Sequence, residues 1–64
     1  MILYKVEKAE RMLSGMDVPD EKRIVTPSNA FWLLCNIGQR NIGHPDLVEV
    51  MKILKDIVYR NRAL

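Results

Sequence analysis

The sequence predicts an all-α protein, a compact three-helix unit with helices over about residues 2–14, 27–42 and 45–62, associating as a homodimer. Apolar residues recur at helical spacing in three segments, and stretches holding proline or glycine separate them. The apolar arcs of the second and third segments are also wider than a 64-residue monomer can enclose.

In the first segment Ile2, Val6, Ala9 and Leu13 form one narrow stripe, with Lys5, Glu7, Lys8, Glu10 and Arg11 on the remainder. Gly15 is placed to take a left-handed conformation just past the helix, with Met16 folding back on the last turn. The competing reading makes ILYKV an edge strand, which its β-branched and aromatic content allows. Residues 16–26, MDVPDEKRIVT, show no clean period and read as a connector with one turn at Pro19, whose Val18, Ile24 and Val25 touch the core.

The second helix has a strong start signal, Thr26 as cap and Pro27 at the first helical position, where a missing N–H costs no hydrogen bond. Ala30, Leu33, Leu34 and Ile37 form its main stripe, Phe31 and Cys35 begin a second, and Trp32 points away from both. A helix apolar nearly all round, in a protein this small, predicts contact with another chain. Trp32 is the candidate anchor, tryptophan being enriched among residues that dominate interface energetics. The alternative is that the 16–26 connector covers it.

The third helix opens with Pro45, followed by Asp46 and Glu49, which suit the positive end of a helix dipole. Leu47, Val50, Met51, Leu54, Ile57 and Val58 make a wide apolar arc, with Val48 and Tyr59 outside it. Glu49, Lys52, Asp56 and Arg60 alternate in sign opposite, the pattern of a solvated face. Arg60 and Arg62 complement the negative dipole end. The predicted interface therefore comprises Phe31, Trp32, Cys35, Gly38 and Ile42 of the second helix with Met51, Ile53 and Tyr59 of the third.

Between the last two helices the phrase Asn-Ile-Gly occurs twice in NIGQRNIGHP, residues 36–45. If the second helix runs on to residue 42, Phe31, Cys35, Gly38 and Ile42 line up at spacings of four, three and four. Gly38 is then a notch for a neighbouring helix, and Gly43 the stop before the corner, with His44 at its tip.

No chemistry-bearing pattern emerges, and neither a cofactor nor a metal is predicted. Phosphate loops place glycines between a strand and a helix, usually with a lysine or hydroxyl directed at the phosphate; here the glycines follow a helix and no Gly-Lys-Ser/Thr occurs. Cys35, His44 and Asp46 supply at most three metal ligands, where structural zinc takes four. Cys35 with His44 has the residue types of a nucleophile and its base, but a thiol embedded in FWLLC is expected to be buried and inert.

The net charge is only +2, and no run of apolar residues approaches the length of a membrane span. One cysteine and no signal-like start point to the cytoplasm. Nucleic acid is the rival ligand, through a helix-turn-helix outline and a face of Arg40, Lys52, Lys55 and Arg62. The third helix, however, starts PDLVE, poor material for phosphates or base edges. The favoured function is binding to protein, either to itself or to a larger partner, without catalysis.

Overall fold

Three helices form from the three periodic segments in a computed structural model that describes residues 3–62, with side chains from Lys5 to Asn61. They are α1 (Leu3–Ser14), α2 (Pro27–Arg40) and α3 (Leu47–Arg62), with a single 3-10 turn at Asp20–Lys22 and no strand among the described residues. Residues 3–6 are therefore helical rather than an edge strand, while Ile2 lies outside the described residues.

α3 is the central element, with α2 antiparallel along one flank and α1 against the other. Its Val50, Ile53, Leu54, Ile57 and Val58 meet Ala30, Leu33 and Ile37 of α2 and Ala9 and Leu13 of α1 in one buried cluster. Met16, Val18 and Val25 of the connector close it. Ile24, expected inside, is 63% exposed: its backbone carbonyl accepts a hydrogen bond from Asn29 Nδ2 (2.8 Å), and the inward place is taken by Val25. Ile53, expected at an interface, is instead a core residue, 8% exposed and part of the buried cluster.

The helix ends follow local chemistry where the sequence offers it. Thr26 is extended (φ −121°, ψ 166°) and its hydroxyl accepts from the Asn29 N–H at 3.1 Å, the expected cap ahead of Pro27. The turn at Pro19 forms as expected, with the Lys22 N–H donating to the Pro19 carbonyl. α1 ends differently. Among glycines only Gly43 has a positive φ, so Gly15 is not left-handed, and tight i to i−3 bonds from Gly15 and Met16 close the helix instead. This turn drops Met16 straight into the core.

Asn41 decides where α2 stops. Its side-chain amide accepts from the Asp17 N–H (2.7 Å) and donates to the carbonyls of Asp17 (3.2 Å) and Ile37 (2.9 Å), so it pairs with Asp17 as a second backbone would. To make these bonds Asn41 leaves helical geometry (φ −133°, ψ 34°), which ends α2 at Arg40 and puts Ile42, 85% exposed, off the expected stripe. Gly43, at φ +85°, then turns the chain, as its position in the sequence predicts. Pro45 and Asp46 form a further turn, so α3 begins two residues later than expected, its first bond running from the Val50 N–H to the Asp46 carbonyl.

Gly38 is not a notch for another helix of this chain, since a Cβ placed there meets nothing within 4 Å. Its φ is not positive, so alanine fits the backbone. Gly38→Ala is expected to stabilise the fold by roughly 0.5–1 kcal/mol, chiefly by restricting the unfolded chain. Urea unfolding measures this, and a loss of stability contradicts the open space around Gly38.

Candidate functional site

One side of α2 packs on α3, and Lys22 of the connector lies over the Trp32 ring on another, 5.3 Å from its centroid. Trp32 is thus half-buried and packed against the core, largely as the connector alternative has it. What α2 leaves open is the strip containing Phe31, Cys35 and Gly38. Phe31 is 54% exposed, and with Pro27 it forms one wall of a shallow cleft whose other wall is Val58 and Asn61 of α3. Half-buried Leu34 and Met51 are spaced to continue this cleft along the two helices, because α2 and α3 run antiparallel. Tyr59, 59% exposed, borders it on α3, with Lys55 Nζ held 5.5 Å from its ring centroid.

Of the eight residues expected at an interface, Phe31 lines this cleft, Cys35 and Gly38 share its strip of α2 by helical spacing, and half-buried Met51 and exposed Tyr59 lie on α3. Trp32 flanks the strip under Lys22, Ile42 sits apart at the corner, and Ile53 is inside. Sequence periodicity puts Leu34 in the core stripe of α2, but it is only half-buried, packing against the core from its edge. Cys35 also differs from expectation: the thiol is exposed, because α1 packs on α3 and leaves this side of α2 bare.

The basic residues proposed for nucleic acid do not form a free stripe. Arg40 Nε lies 3.6 Å from an Asp17 carboxylate oxygen, and Lys55 is drawn to Tyr59, while Lys52 projects from the outer side of α3. The Arg62 side chain lies outside the described residues. At the start of α3, Glu49 is paired with Lys8 of α1 rather than with Lys52.

His44 has structural duties at both ring nitrogens. Nδ1 accepts from the Asp46 N–H at 3.1 Å, which requires the ring proton on Nε2, and Nε2 donates to the Gly15 carbonyl at 3.1 Å. Neither nitrogen is left to serve Cys35 as a base. Among the described residues no three His, Cys, Asp or Glu side chains gather as a metal site, and no buried side-chain nitrogen or oxygen lacks a partner. No helix among them is long and apolar enough to cross a membrane.

Compared with protein-family models, curated proteins and solved structures, the chain matches none of them.

Proposed function

We propose that this protein acts by binding other protein chains through the α2–α3 face, as a small adaptor, regulator or inhibitor, and not by catalysis. The observation that supports this best is Phe31: a large aromatic side chain, more than half exposed, stands at the mouth of an apolar cleft. Partly exposed Leu34 and Met51 extend the same surface, and such contiguous patches mark interaction sites more often than isolated exposed residues do. Buried aromatic anchors supply most of the energy at protein interfaces.

A second copy is the simplest occupant, giving the homodimer that the wide apolar arcs predict. Light scattering after gel filtration across a range of concentrations tests it. Wild-type protein is expected to self-associate weakly at high concentration, and Phe31→Asp to stay monomeric with unchanged helicity, since Phe31 is outside the core. Self-association that Phe31→Asp leaves intact moves the interface elsewhere.

A further inference from the structure

We infer that the preferred occupant of the α2–α3 face is an acidic amphipathic helix of another protein, its apolar side laid in the cleft and its carboxylates toward α3. This rests on the protein-binding reading above and names the partner chemistry.

The shape is that of a seat between two antiparallel helices, which an amphipathic helix fills with side chains spaced one turn apart. The cleft beside Phe31 accepts one large apolar side chain, and the half-buried Leu34 and Met51 offer contacts for the next turn.

The charge around this seat selects the partner. α2 contains no carboxylate. The two in α3 are engaged away from the cleft, Glu49 with Lys8 of α1 and Asp56 with Arg60 (3.0 Å). Lys55, by contrast, forms no ion pair among the described residues, and its place one turn from Met51 and from Val58 on α3 sets it beside the apolar edge. On the far flank of α2, Lys22 over Trp32 adds a positive charge that exposed Glu21 offsets, so selectivity rests on Lys55. A second copy laid face to face adds another uncompensated lysine to the seam, whereas a helix with a glutamate beside its apolar stripe meets Lys55 with opposite charge. Self-association is therefore the weaker mode.

A displayed library of amphipathic helices about five turns long tests this, with Leu, Ile, Phe or Met on one face and Glu or Lys at the flanking positions. Selection on the full chain is expected to enrich Glu, and the selected helices to lose about tenfold or more in affinity to Phe31→Ala. Their binding is expected to weaken with salt, and a Lys55→Glu variant to select Lys instead. Enrichment of Lys, absence of a charge bias, or absence of any binder overturns the acidic-helix assignment. If selected helices need Phe31 but show no bias, protein binding through this face stands and its charge selectivity falls. If neither selection nor self-association depends on Phe31, both fall. Circular dichroism confirms that each exposed-site variant stays folded.

Discussion

Asn41→Ala is expected to destabilise the protein by about 2–4 kcal/mol, a large part of the margin available to a domain of this size. Three hydrogen bonds end on this one side chain, which is only 7% exposed. Truncation removes both donor and acceptor from Asp17, leaving its N–H and carbonyl without their partner in a part-buried place where water replaces them poorly. Asn41→Asp is the sharper variant. It keeps an oxygen for the Asp17 N–H but sets a carboxylate oxygen against the carbonyls of Asp17 and Ile37, so it is expected to be no better tolerated than alanine. Urea midpoints for the two variants against wild type decide the matter. If Asp restores what Ala loses, the donor half of the amide contributes little.

Leu33→Ala is expected to cost about 2–5 kcal/mol, the range for a buried leucine whose cavity cannot collapse. Leu33 is fully buried in the cluster shared by α2 and α3. Its neighbour Leu34 serves as the internal comparison: it is half-buried at the open face, so Leu34→Ala is expected to cost less than about 1.5 kcal/mol. Thermal melts followed by circular dichroism separate the pair. Equal losses at the two positions contradict the assignment of one to the core and the other to the rim.

The three helices were legible because each announces itself locally: Thr26-Pro27 starts α2, Gly43 stands at the corner, and the apolar spacing of α3 persists for four turns. What was not legible depends on contacts across the chain. Asn41 reads as part of the second helix until Asp17, far away in sequence, lies beside it, and nothing in NIGQRNIGHP announces that partner. Glu10 is similar. Its spacing puts it among the solvated charges of α1, yet its carboxylate accepts from the Val25 N–H at 2.8 Å and fixes the approach to α2. The exposure of Cys35 has the same origin, because the helical angles show that α2 has two apolar sides but not which of them α3 covers.

The doubled Asn-Ile-Gly is one word spelled twice with opposite stresses. In the first copy the middle letter carries the fold: Ile37 is fully buried, while Asn36 only bonds back to the Trp32 carbonyl and Gly38 is surrounded by open space. In the second the outer letters carry it, through the Asn41 amide and the positive φ of Gly43, and Ile42 is left in solvent. An identical tripeptide is thus helix interior at one place and helix exit at the other. Folding leaves Gly38 and Ile42 unspecified, and those two positions are where this stretch is free to record requirements other than its own stability.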